Sequence, residues 1–112
     1  MNIKITGRVI HGDGYGKKLG FPTVNLEAKA PHALKGGVYA GRGMLNGMVY
    51  RAGIILGPSG KIEAHLIGYD GYAYGQEVTL EVKKFLREYK KFETEKELIL
   101  QITEDIKACS QE

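Results

Sequence analysis

Asn46-Gly47 commits the middle of this chain to a β-hairpin. Both residues accept positive φ, which the two central positions of a type I′ turn require. Strand-forming runs flank the pair, Gly37 to Gly41 before it and Met48 to Leu56 after it. A second turn, Gly57-Pro58-Ser59-Gly60, leads into a strand from Ile62 to Ile67. Alternation is strictest in Val78 to Lys83, where Val78, Leu80 and Val82 face one way and Thr79, Glu81 and Lys83 the other. Ile3 to Ile10 reads as an opening strand, with Ile3, Ile5 and Val9 on one face and Gly7 a weak point. A Gly-rich loop from His11 to Gly20 and the short segment Phe21 to Leu26 follow it. The 16 glycines in 112 residues are about twice the usual share. Without a collagen-like repeat, they fit tight turns and close backbone approaches.

The end of the chain changes period. Thr94 and Glu97 have the spacing of a capping box, and Leu98, Ile99, Ile102, Ile106 and Cys109 recur at helical intervals. A helix this short needs a surface to pack on, and the sheet is the only one on offer. Closure of the sheet into an antiparallel barrel removes exposed edges. The expectation is an all-β-dominated single domain over 1–112, with a barrel over about 1–90 and one C-terminal helix over about 94–109.

The net charge of +3, from 16 basic and 13 acidic residues, is too mild to demand a nucleic-acid partner but suits an anionic small molecule. Cys109 is the only cysteine, so no internal disulfide is possible and a reducing cytoplasm is expected. The sequence shows no signal-peptide pattern and no apolar run near 18 residues. No membrane association is expected, and the chain is expected to be a monomer.

The stretch Gly12-Asp13-Gly14-Tyr15-Gly16-Lys17-Lys18 brings backbone amides and lysine charge together, as a phosphate cradle requires. It is not a Walker A loop, because His11 falls where the first glycine belongs and Lys18 where a Ser or Thr would hold the metal. Taken alone, it fits a hairpin connection with solvated lysines better. In Phe21-Pro22-Thr23-Val24-Asn25, Pro22 favours extended geometry, so Thr23 and Asn25 point the same way. Their oxygens are weak ligands that hard Mg²⁺ accepts when phosphates supply the charge. A turn in which Asn25 bonds its own backbone is the simpler alternative. Glu63 and His65 share one face of their strand; that face is either solvent-facing or lines a site where Glu63 could accept a hydroxyl proton. His11, His32 and His65 lack metal-ligand spacing. Tyr69, Tyr72 and Tyr74 crowd one loop, which suits either ring stacking or loop packing.

In this order, the segments resemble the riboflavin kinase family over essentially the whole chain. The resemblance rests on His11 to Gly16, Gly20 to Leu26 with a Pro-Thr-Val-Asn motif, Gly37-Val38-Tyr39-Ala40 and Glu63-Ala64-His65-Leu66. Tyr74-Gly75, Leu86-Arg87, Lys91-Phe92, Gln101-Ile102 and Asp105-Ile106 continue it. The resemblance implies a six-stranded antiparallel Greek-key barrel with a C-terminal helix, without the adenylyltransferase domain fused to many bacterial members. It also implies transfer of the γ-phosphoryl group of ATP to the 5′-hydroxyl of riboflavin, giving FMN and ADP. Carried over residue by residue, Gly12, Gly14, Gly16 and Lys18 would hold the phosphates. Thr23 and Asn25 would complete the nucleotide site and bind Mg²⁺. Glu63 would be the base, and Arg87, Glu88 and Phe92 would lie against the flavin.

Three positions depart from the family pattern. Val24 replaces the usual Ala of the Pro-Thr-Ala-Asn motif. The loop at Ile55-Leu56-Gly57-Pro58-Ser59 is shortened and lacks the family's Asn. Tyr89 stands where a Glu is expected, with Glu88 one place early. The last two fall on the flavin side, so a non-catalytic flavin- or nucleotide-binding module is the alternative expectation.

Overall fold

A computed structural model of the chain describes residues 3–11, 23–57, 60–69, 71 and 73–110. Its strands are β1 (Ile3–Ile10), β2 (Val24–Glu27), β3 (Gly37–Leu45), β4 (Met48–Leu56), β5 (Ile62–Leu66) and β6 (Glu77–Arg87), followed by helix α1 (Glu95–Ser110). They close into an antiparallel barrel in the order β1-β2-β5-β4-β3-β6. Consecutive β3, β4 and β5 lie side by side, and β6 returns to pair with β3, which is the Greek-key arrangement. Asn46 and Gly47 have φ of 51° and 77°, as the β3–β4 hairpin requires.

The interior is filled by the alternating residues of every strand. Ile5 and Val9, Leu26, Tyr39 and Leu45, Ala52 and Ile54, Ile62, Ala64 and Leu66, and Val78, Leu80 and Val82 form one buried cluster. Tyr39 is buried because its hydroxyl has a partner, donating to the Lys35 carbonyl at 2.7 Å. Among the described residues no helix is long and apolar enough to cross a membrane.

Two strands run longer than their sequence pattern suggests. β3 continues past Gly41 to Leu45 because its glycines are sites of close approach, not breaks. A Cβ at Gly41 would lie 2.0 Å from the Glu81 carbonyl oxygen of β6. β6 continues past Lys83 because the register with β3 shifts between Ala40 and Gly41, so Lys83 is an extra residue. The bulge reverses the alternation, and Phe85 packs against the core although it breaks the phase of Val78, Leu80 and Val82.

Helix α1 packs on the outside of β4 and β3. Val38 and Ala40, which face away from Tyr39, are buried there with Cys109 at 0% exposure. Ala40 pairs with Gly53, and this small pair lets the helix approach closely: a Cβ at Gly53 would sit 3.5 Å from Cys109 Sγ. Leu98, Ile99, Ile102 and Ile106 are half-buried along the same stripe. At the helix start the Thr94 hydroxyl accepts a hydrogen bond from the Glu97 amide at 3.2 Å.

The glycine contacts separate two substitutions that look alike in sequence. Gly41→Ala should destabilise the fold by about 3 kcal/mol, since a methyl group there must displace backbone of β6. Gly53→Ala, whose methyl meets only Cys109 at an ordinary distance, should change stability by less than about 1 kcal/mol. Urea unfolding midpoints of the two variants check the contrast.

Candidate functional site

One cross-strand row organises the outside of the barrel. Ile10 pairs with Asn25, Asn25 with Glu63, Glu63 with Ile55, Ile55 with Val38 and Val38 with Arg87. Side chains of one row share a face, so Asn25, Glu63 and Arg87 all point outward. The core residues Ile62, Ala64 and Leu66 alternate with Glu63 and His65, which settles the face that periodicity left open. Val24 points the other way and packs against the core.

At one end of the row the polar groups converge. Thr23 Oγ1 lies 3.4 Å from Glu63 Oε1, a long contact in which the hydroxyl donates. Asn25 is 8% exposed, and its Oδ1 is buried with no hydrogen-bond partner among the described residues. A buried carbonyl oxygen left unpaired carries a desolvation cost unless something meets it, and a cation is one such partner. Asn25 Oδ1, Thr23 Oγ1 and the half-buried Glu63 carboxylate form an all-oxygen donor set, the kind a hard divalent ion takes. Among the described residues no three His, Cys, Asp or Glu side chains cluster as a metal site, so phosphate oxygens would have to complete the coordination. Gly12, Gly14, Gly16 and Lys18 lie outside the described residues.

At the other end, Arg87 is engaged with the helix. Its Nε donates to Asp105 Oδ1 at 3.1 Å and its NH2 to Asp105 Oδ2 at 2.8 Å, a two-pronged ion pair that is largely shielded from water. Gln101 Nε2 also donates to Asp105 Oδ1, at 3.0 Å. The remaining Arg87 nitrogen donates to the Glu88 carbonyl at 3.2 Å, and the guanidinium carbon lies 5.7 Å from the Phe92 ring centroid. Arg87 thus fastens both α1 and the segment 88–92 to β6. Glu63 on β5 and Arg87 on β6 are three strands apart in the closed ring of six, on opposite sides of the barrel. Glu88 is exposed and Phe92 half-buried, with Lys90 Nζ 5.3 Å from the Phe92 ring.

Two contacts near the row join residues far apart in sequence. His11 and Tyr74 stack at 3.8 Å beside the exposed Ile10. Tyr89 lies beside Gly57, its Cε2 3.7 Å from where a Cβ would stand. No local pattern marks either pair, because each joins two loops that only barrel closure brings together. Tyr69, in contrast, packs edge-on against Tyr50 at 5.5 Å and belongs to the core rim.

A family model described as riboflavin kinase, or flavokinase, matches residues 1–112. The chain belongs to the riboflavin kinase family. It is 35% identical over 114 residues to the bifunctional riboflavin kinase/FMN adenylyltransferase of Bacillus subtilis, a match covering 90% of this chain and 35% of that protein. It is 30% identical over 110 residues to an RNA-binding riboflavin kinase of the same organism, covering 91% of this chain and 47% of that one. The chain therefore spans between a third and a half of these relatives. Among solved structures, a macrolide-efflux protein from Streptococcus pneumoniae superposes with a TM-score of 0.88 at 24% identity, over 97% of this chain and 38% of that one. Riboflavin kinase from Trypanosoma brucei superposes with a TM-score of 0.68 at 22% identity, over 96% and 77%. At these identities the structural likeness concerns the barrel alone.

The Arg87–Asp105 link should show up as coupling. In a double-mutant cycle of Arg87→Ala and Asp105→Ala, urea unfolding should give an interaction energy of about 1–2 kcal/mol. A value near zero would mean that the helix is held by its apolar stripe alone.

Proposed function

We propose that this chain transfers the γ-phosphoryl group of ATP to the ribityl 5′-hydroxyl of riboflavin, producing FMN and ADP. The observation that carries the reading is the placement of Glu63, half-buried, in register with Asn25 and beside the Thr23 hydroxyl. Family membership supports the choice of riboflavin as acceptor.

Glu63 takes the proton of the 5′-hydroxyl as its oxygen attacks the γ-phosphorus, and the bond from that phosphorus to the β–γ bridging oxygen breaks to release ADP. Phosphoryl transfer is governed by alignment and charge, so a carboxylate in a rigid strand needs only correct aim. Thr23 Oγ1 keeps Glu63 turned toward β2. Asn25 Oδ1 and Thr23 Oγ1 are the groups that would hold Mg²⁺, and the ion would offset negative charge developing during transfer. Gly12, Gly14, Gly16 and Lys18, outside the described residues, would supply the phosphate contacts. Phe92 and Glu88 lie on the acceptor side, and Arg87 acts there by fixing the segment that carries them. This reading takes residues 1–112 as one cytoplasmic, monomeric unit that acts on small molecules without a nucleic-acid partner.

Chromatographic separation of FMN from riboflavin, after incubation with ATP and Mg²⁺, tests the activity directly; chelation of the metal should abolish it. Glu63→Gln should lower kcat by roughly 10²–10⁴-fold while ATP binding is retained. Unchanged turnover would remove Glu63 from the mechanism. Asn25→Leu should also remove turnover, yet raise stability by about 1 kcal/mol, because it deletes an unpaired buried oxygen at similar volume. Loss of stability in that variant would mean that Asn25 holds the fold and not a ligand.

A further inference from the structure

His65 is the outward-facing neighbour of Glu63 that the proposed chemistry leaves without a role. The two residues alternate on β5 with the buried Ile62, Ala64 and Leu66. They therefore share the outer face, about 7 Å apart along the strand. On the β4 side their strand partners are Ile55 and Gly53. Ile67, two residues beyond His65, donates its amide to the Arg51 carbonyl at 2.8 Å. Hydrogen-bonded pairs recur at every second residue, so the main-chain groups of Glu63 and His65 also point toward β4. Toward β2 both residues stand in non-hydrogen-bonded pairs, the kind that brings opposing side chains closest.

Asn25 is the β2 partner of Glu63, and Val24 is that of Ala64. One step further in the same register, Thr23 falls opposite His65. Thr23, Asn25, Glu63 and His65 thus stand at the corners of one outward-facing square on β2 and β5. Its diagonal is the contact of Thr23 Oγ1 with Glu63 Oε1 at 3.4 Å, which turns the carboxylate toward the His65 end of the square. Like Thr23 and Glu63, His65 is half-buried. Its β4 flank is covered by α1: Gly53 carries no side chain, and Cys109 Sγ lies 3.5 Å from where a Cβ would stand there. The imidazole is therefore placed between the end of the helix and Thr23.

The proposed chemistry uses the other three corners through their oxygens. An imidazole differs from them in offering at least one N–H, whether neutral or charged. During transfer the attacking oxygen lies between the base and the γ-phosphorus, and negative charge spreads over the equatorial oxygens of the moving group. With the Glu63 carboxylate turned toward Thr23, that group comes to lie over the next outward residue of β5. A donor already fixed at the place where charge develops lowers the barrier, because nothing has to reorganise as the reaction proceeds.

We infer that His65 is a further catalytic residue, its imidazole N–H donating a hydrogen bond to an oxygen of the transferring γ-phosphoryl group. The inference rests on the kinase reading given above. No proton changes hands at His65: the N–H proton stays on the ring, and Glu63 takes the proton of the hydroxyl. ADP lacks the γ-phosphoryl group, so His65 contributes to the binding of ATP and not to that of ADP.

Two readouts on the full chain test it, both with Mg²⁺ present: steady-state kinetics with riboflavin and ATP, and calorimetric affinities for ATP and ADP without riboflavin. His65→Leu, which fills the space without a donor, should lower kcat by roughly 10²-fold with KM for riboflavin unmoved. The same variant should lose about tenfold in ATP affinity and none in ADP affinity. His65→Gln, which keeps an N–H, should recover most of both losses. Urea unfolding midpoints check that each variant is folded, and His65→Ala replaces His65→Leu if the latter is not. Parent-like turnover in His65→Leu would overturn the inference. ATP and ADP affinities falling together in the Leu and Gln variants alike would also overturn it, since that pattern marks a packing role. A parent chain that forms no FMN, yet loses its preference for ATP over ADP in His65→Leu, would sink the kinase reading and leave the γ-phosphoryl contact standing. A parent chain that neither forms FMN nor prefers ATP would defeat both.

Discussion

The register of β5 against its two neighbours is the constraint on which the rest of the site depends. Ile62, Ala64 and Leu66 are buried in the barrel, and that burial fixes which residues of β5 face outward. A slip of one residue would turn Glu63 into the core and expose three apolar side chains. Burying an unpaired carboxylate is costly enough that such a state would not persist. The same alternation on β2 directs Leu26 inward and Asn25 outward. The hydrophobic core therefore aims the polar groups, although none of its members touches them.

A second dependence runs through α1. The helix closes over Val38 and Ala40 on the outer face of β3, which would otherwise be bare hydrocarbon. Small residues make the approach possible: Ala40 and Gly53 pair beneath the helix, and Cys109 fits against them. Apolar packing of this kind has no direction of its own and would tolerate sliding. The forked geometry of Arg87 on Asp105 supplies direction, because two parallel hydrogen bonds form in only one arrangement. Since Arg87 also holds the Glu88 carbonyl, the same side chain sets where segment 88–92 leaves the barrel.

Much of the barrel was legible because its signals are local. The Asn46-Gly47 turn, the alternation of Val78 to Val82 and the helical stripe from Leu98 to Cys109 each need only a few neighbouring residues to be read. Strand ends were less legible for a physical reason. The expected strand stopped at Gly41, yet β3 runs on to Leu45, because the Glu81 carbonyl of β6 fills the space a Cβ would take at Gly41 and the Leu66 side chain fills it at Gly43. The bulge at Lys83 likewise breaks the two-residue period, and a second register shift follows between Val38 and Tyr39. Thr23, Asn25 and Glu63 could be singled out by residue type and by family resemblance. Nothing local could say that the face of Glu63 is the outer one, or that Asn25 would be buried there. Arg87 was expected on the flavin side from the resemblance alone, and its commitment to Asp105 depends on where the helix docks. The stack of His11 on Tyr74 and the seat of Tyr89 on Gly57 depend on closure in the same way.

On the proposed function, the donor groups would also suit so small a barrel to phosphoryl transfer. A preformed site with several carboxylates must keep like charges together before any metal arrives, and a 112-residue domain has little stability to spare for that repulsion. Here one carboxylate is accompanied by a hydroxyl and an amide, both neutral. The main cost in the free state is one unpaired amide oxygen, which strand pairing holds in place. Most of the charge that draws a divalent ion would arrive with the nucleotide, so ion and nucleotide would bind as a pair. On this view metal affinity without nucleotide is weak by construction, and the rigidity of the β2–β5 pairing takes the place of a high-affinity metal site.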